Sequence, residues 1–159
     1  MNSAVLQKPQ GCTSLKVRQL MRRVSQHYDA EMAKCGLKTT QYSLLSHIVK
    51  LGPVRPSELA QAMQMTPSTL SRNLQPLVTA GLAVIGAGTD ARSRLVQATE
   101  AGQDKRREAQ RLWKVAQQTL NEQLGVERVL ALHALIDDSL SILQGTDEQN
   151  DKEGEGDAS

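Results

Sequence analysis

RPSELAQAMQMTPSTLSRNLQPLVTAG, residues Arg55 to Gly81, reads as two short helices joined by a tight turn. Pro56 suits a first helical position, where a missing N–H costs nothing, and Glu58 suits the positive end of the helix dipole. Leu59, Ala60 and Met63 then supply a buried stripe. The second helix has the sharper start, since Thr66 can cap it and Pro67 takes the first position. Leu70, Leu74, Leu77 and Val78 make its inner face, and Gly81 stops it. With those four inward, Ser68, Ser71, Arg72 and Gln75 face outward at one-turn spacing. Two helices so joined are a helix-turn-helix candidate. The outward strip carries no acid, and its groups suit nucleic acid. Arginine bonds two acceptors on guanine, glutamine makes two contacts to adenine, and hydroxyls reach phosphates or either base.

After Gly81 the period of the pattern changes from helical to two. LAVIG and SRLVQAT are strand candidates separated by AGTDAR, whose Gly and Asp favour a turn, so they pair as a hairpin. Arg92 and Arg94 lie in or beside that turn with no acidic run opposite them. Upstream, Val17, Leu20, Met21, Val24, Tyr28 and Met32 recur on one face of a long helix from Thr13 to about Cys35, ended by Gly36. A second helix, about Thr40 to Leu51, turns Leu44, Leu45, Ile48 and Val49 inward. Downstream, Thr99 caps a helix reaching about Leu124, with a weak stripe of Leu112, Val115, Ala116 and Leu120. A last helix, about Val126 to Leu143, is apolar over so wide a girth that it asks for partner surface beyond one small domain.

Composition sets the outer bounds. The 159 residues, 39% apolar, suffice for one domain with helical extensions. No segment approaches the run of about 18 apolar residues read as a membrane span, and residues 1–12 show no secretory signal, so a cytoplasmic protein without membrane contact is expected. The net charge of +2 conceals an asymmetry: residues 1–145 hold 18 Lys and Arg against 11 Asp and Glu, and residues 146–159 one lysine against six acids. Within residues 38–98 the ratio is six to two, the electrostatic footprint of a duplex binder. The expected organisation is a flexible 1–12, helices over 13–37 and 99–145, a DNA-binding lobe over 38–98, and a disordered acidic tail over 146–159.

The two-helix unit ELAQAMQMTPSTLSRNLQPLVTAGL and the segment DARSRLVQATEAG together resemble the MarR (multiple antibiotic resistance regulator) family of winged helix-turn-helix transcription factors. The resemblance covers about residues 14–143. It implies a mainly α fold with a small β-hairpin wing, and a triangular homodimer built by interleaving the first and last two helices. Two recognition helices would then enter successive major grooves of a pseudo-palindromic double-stranded DNA operator, about 34 Å apart, with each wing on the backbone or in a minor groove. Asp90 would brace the wing arginines while Arg92 and Arg94 reach DNA. Arg55, Pro67 and Thr69 join Ser68, Ser71, Arg72 and Gln75 as contact candidates. Three positions depart from the family pattern: Arg55 stands where a capping Ser or Thr is usual, Ala98 replaces a leucine, and Pro76 sits inside the recognition helix. Pro76 removes the hydrogen bond to the Arg72 carbonyl and predicts a kink.

The regulator reading leaves the trigger open. The chain's aromatics are Tyr28, Tyr42 and Trp113, and all fall on helices that in the family enclose a ligand cleft. With Arg23, His27 and His47 they would suit a small aromatic carboxylate or phenol that releases a repressor from DNA. The alternative trigger is oxidation of Cys12 or Cys35, which flank the first helix about 33 Å apart and cannot bridge along it. Neither cysteine has zinc-ligand spacing, and no metal or cofactor is expected. His27, His47 and His133 lie on separate helices with no nucleophile elbow or phosphate loop nearby, so an enzyme is not expected. A winged-helix module that binds protein instead of DNA is the remaining alternative.

Overall fold

The computed structural model describes residues 10–88 and 94–154, with 145–154 as helical backbone alone. Among these, six α-helices and one antiparallel hairpin follow the order α1 (Thr13–Met32), α2 (Thr39–Leu51), α3 (Pro56–Ala62), α4 (Pro67–Thr79), β1 (Ala83–Ala87), β2 (Arg94–Ala98), α5 (Glu100–Leu124) and α6 (Val126–Gly154). The chain divides into two compact units after Ala116, within α5. No described helix is long and apolar enough to cross a membrane.

The first unit is built on a core from α2, α3, α4 and β2. Leu44, Leu45, Ile48, Leu59, Leu70, Leu77 and Val96 are almost wholly removed from solvent. These come from the inner faces that the helical period predicts, with Val49, Met63 and Val78 at the margin. In the hairpin Ala83 faces Ala98, Ile85 faces Val96 and Ala87 faces Arg94. Val54, just before α3, adds an isolated antiparallel bridge to β2: its N–H donates to the Val96 carbonyl at 3.0 Å and its carbonyl accepts from Val96 N–H at 2.8 Å.

Between α3 and α4, Gln64 adopts a left-handed φ of 52°, an uncommon conformation for a side-chain-bearing residue. The turn is held by Met65 N–H donating to the Ala60 carbonyl at 2.9 Å and by Asn73 Nδ2 reaching Met65 Sδ at 3.7 Å. At the other end of the hairpin, Thr99 makes a clasp. Its hydroxyl donates to the Gly81 carbonyl at 2.7 Å and accepts from Gly102 N–H at 3.0 Å. Its own N–H donates to the Leu82 carbonyl at 3.1 Å. Gly102 is buried against the same carbonyl, so close that an added Cβ would lie 1.9 Å from Leu82 O.

Several expectations are corrected. The buried positions of α5 are Gly102, Ala109 and Ala116, spaced by seven; of the expected stripe Ala116 is buried and Leu112 packs at the core margin, whereas Val115 is 48% exposed. Small residues let this helix lie close, a feature that apolar bulk does not reveal. The α1 stripe is divided: Tyr28 and Met32 are buried, while Val17, Leu20 and Met21 remain exposed in the single chain. The lost cap at Arg55 is partly compensated, because the Glu58 carboxylate accepts from Arg55 N–H at 3.3 Å. Pro76 does not interrupt α4, which continues to Thr79. The helix α6 passes the expected end near Leu143 and reaches Gly154, within the segment 146–159. Once a helix is nucleated each added residue gains a bond, and Gln, Glu and Lys propagate it well.

The clasp yields a stability test. Gly102→Ala should lower the denaturant midpoint by an amount equivalent to about 1–3 kcal/mol, the usual cost of overpacking, with an unchanged slope. An unchanged midpoint would show that the α5 approach is looser than described.

Candidate nucleic-acid interface

The outer face of α4 carries the polar strip because the inner one is spent on the core. Pro67, Ser68, Thr69, Ser71, Arg72 and Gln75 are all exposed, whereas Leu70, Leu74 and Leu77 are buried. Three hydroxyls gather at the start of the helix. Thr66 Oγ1 accepts from Thr69 N–H at 3.2 Å, donates to Thr69 Oγ1 at 2.9 Å, and lies 3.2 Å from Ser68 Oγ. Thr66, read from sequence only as a cap, thereby also positions two of the contact candidates. At the other end of the strip Gln75 Nε2 donates to Thr79 Oγ1 at 3.3 Å, which holds the amide on the outer face in spite of Pro76.

Arg55, at the start of α3, and Arg94, the first residue of β2, are exposed as well. The ion pairs among the described residues join Lys34 to Glu31, Lys105 to Glu108 and Arg107 to Asp104. Arg55, Arg72 and Arg94 take part in none of them. Their charges are therefore available to an anionic partner. Asp90 and Arg92, the expected wing brace and wing tip, lie outside the described residues.

The six expected ligand residues are distributed over three places in the single chain. Tyr28 and Tyr42 are buried and both pack on Trp113, with ring centroids 6.3 and 6.4 Å apart. His27 meets Tyr28 edge-on at 5.8 Å, and its Nε2–H donates to the Ala116 carbonyl at 2.8 Å. Burial pushes the Tyr28 phenol above its ordinary pKa, which keeps the ring neutral. These rings fill space against one another. Arg23 instead lines a groove on α1 with Gln19, Arg22 and Gln26. His47 lines a separate cavity with Ser46, Val49, Lys50 and Arg106, its Nδ1–H donated to the Ser43 carbonyl at 2.8 Å. The two cysteines also differ: Cys12 is exposed, while Cys35 is buried with its thiol donating to the Met32 carbonyl at 3.1 Å.

Comparison with known proteins enters on this geometry. The MarR family model matches residues 36–93, which span the lobe from Gly36 into the hairpin. No curated protein matches the chain. Among solved structures, the transcriptional regulator MosR of M. tuberculosis, in complex with DNA, is 29% identical with a TM-score of 0.65, over 82% of this chain and 98% of its own. The transcriptional repressor CouR, bound to a 23-mer DNA duplex, is 21% identical with a TM-score of 0.74, over 81% and 92%. A mutant MarR from E. coli, complexed with operator DNA, is 20% identical with a TM-score of 0.72, over 80% and 92%. The sequence match to the MarR family lies on the lobe, residues 36–93, and the likeness to DNA-bound regulators of the same fold runs on into the helices around it.

Proposed function

We propose that this chain is a dimeric, sequence-specific DNA-binding regulator that acts as a repressor and is released by a small anionic aromatic ligand. The observation that carries the reading is the exposed strip Ser68, Ser71, Arg72 and Gln75 on a core-anchored helix, flanked by Arg55 and Arg94 that form no ion pair among the described residues. Such a strip offers bidentate donors for base edges, and the flanking cations offer phosphate contacts. The shared fold supports it, since MosR, CouR and MarR are each solved with DNA.

Dimerisation supports the same reading. In the first unit Leu15, Val17, Leu20 and Met21 are exposed on α1, and in the second Leu130, Leu135, Ile136, Leu140, Ile142 and Leu143 are exposed on α6. Apolar groups in that number on a soluble chain ask for burial, and a second copy supplies an equivalent surface. Two copies would then present two α4 helices to successive major grooves. For the trigger, CouR has also been solved bound to p-coumaroyl-CoA, which supports an organic ligand as effector. Oxidation finds less support at Cys35, whose thiol is buried and donates its proton to a carbonyl.

Two elements should fail differently when altered. Arg94→Ala should weaken binding to most duplexes and lower the slope of log K against log salt by about 1. Arg72→Ala or Gln75→Ala should in addition blur which bases are preferred, at about 1–3 kcal/mol per lost pair. Fluorescence anisotropy across salt concentrations on matched and mutated duplexes separates the two. Salt-insensitive or absent binding to every duplex would sink the DNA reading and favour a protein-binding module. For the dimer, Leu135→Asp should give a monomer in analytical ultracentrifugation and lower duplex affinity by about tenfold or more. A variant that remains dimeric would remove α6 from the interface.

A further inference from the structure

The cations of α1 meet no counter-charge along most of their own helix. Residues 13–28 hold Lys16, Arg18, Arg22 and Arg23 and no acid. All four are exposed, and none joins an ion pair among the described residues. At about 100° of turn per residue, they stand on either side of the arc that carries the exposed Val17, Leu20 and Met21. Arg22 and Arg23, with Gln19 and Gln26, also line a groove on the helix. A charged border along an exposed apolar row is the pattern of an interface core and its polar rim.

The complementary charge lies at the other end of the chain. Residues 146–159 hold six acids against one lysine. The backbone continues α6 as far as Gly154, so Asp147, Glu148 and Asp151 follow the exposed Leu140, Ile142 and Leu143 on one helix. Asp137 and Asp138, earlier on α6, are exposed and in no ion pair among the described residues. The helix α6 thus repeats the plan of α1 with the sign reversed. Two copies of α1 laid together would set cation against cation, which opposes association, whereas α6 brings an apolar row and acids to the same surface.

We propose that the basic border of α1 receives the acidic segment 146–159 of a second copy of the chain. By two-fold symmetry the contact occurs twice, so each dimer carries two electrostatic latches. The inference rests on the dimer reading and deepens it, because it names the charged segments that meet and gives association a salt dependence of its own. Screening reaches the latch directly: the Debye length falls from about 10 Å at 0.1 M salt to about 3 Å at 1 M. Paired half-sites need both copies, so salt acts on duplex binding twice, at the phosphates and at the latch.

Two full-length charge reversals test the latch by sedimentation with one chain fluorescently labelled. The first carries Arg22→Glu and Arg23→Glu, the second Asp147→Lys, Glu148→Lys and Asp151→Lys. At about 50 mM salt each variant alone should dimerise at least about tenfold more weakly than the parent. Their equimolar mixture should recover a heterodimer of nearly parental affinity, since every border again meets an end of opposite sign. At about 1 M salt the parent and the variants should differ by less than about threefold. The neutral variant, Arg22→Gln with Arg23→Gln, keeps good helix formers and should lose most of the salt dependence of dimerisation. Reversed variants that dimerise like the parent at low salt would overturn the proposal, as would parental salt dependence in the neutral variant. A mixture no tighter than its components would place the contact within one chain and overturn it equally. Unchanged dimers with a duplex salt slope lowered by about 2 would instead assign these arginines to DNA phosphates. A parent that is monomeric at every concentration would refute the dimer reading and the latch together, whereas a dimeric parent with indifferent variants refutes the latch alone.

Discussion

A single threonine hydroxyl joins the parts that the rest of the molecule depends on. Thr99 ends β2 and starts α5, and through the Gly81 and Leu82 carbonyls it ties both to the turn that closes α4. Gly102 makes the join possible, since a side chain there would collide with the Leu82 carbonyl. The clasp adds directional bonds to the apolar core in which Leu70, Leu74 and Leu77 of α4 already pack with Val96 of the hairpin. With it, the outward strip of α4, the hairpin and the first turns of α5 share one frame. The Val54 to Val96 bridge anchors the start of α3 to the same hairpin.

Legibility in the sequence followed locality. The faces of α2, α3 and α4 could be read because each buries large apolar side chains at helical spacing, and Leu44, Leu59, Leu70 and Leu77 all stand in the core. The contact face of α5 was read only in part, at Ala116, because Gly102 and Ala109 carry little apolar bulk and act by allowing close approach. Gln64 in a left-handed conformation was equally hidden, since Gly is the residue that ordinarily marks such a turn. On α1, Val17 and Leu20 match the period of Tyr28 and Met32 but not their fate in one chain, because periodicity cannot tell a core from an interface.

The same distinction divides the functional residues. The α4 strip was legible because a helix whose inner face is fixed leaves its outer face determined. The ligand candidates depend on tertiary packing instead: Tyr28, Tyr42 and Trp113 share a neighbourhood in which their rings lie against one another. Nothing in the local pattern marks Ser46 or Arg106 as unusual. Only in the folded chain do the Ser46 hydroxyl and the Arg106 Nε become buried donors without a partner among the described residues.

The claim at the centre of the account is that two copies of α4 read duplex DNA together. Selection of bound duplexes from a random pool by the purified chain, followed by sequencing, tests it most directly. The account predicts enrichment of an inverted repeat with half-site centres about 10 base pairs apart, one helical turn. A pool that shows no enriched sequence, or a single half-site with no inverted mate, would contradict it.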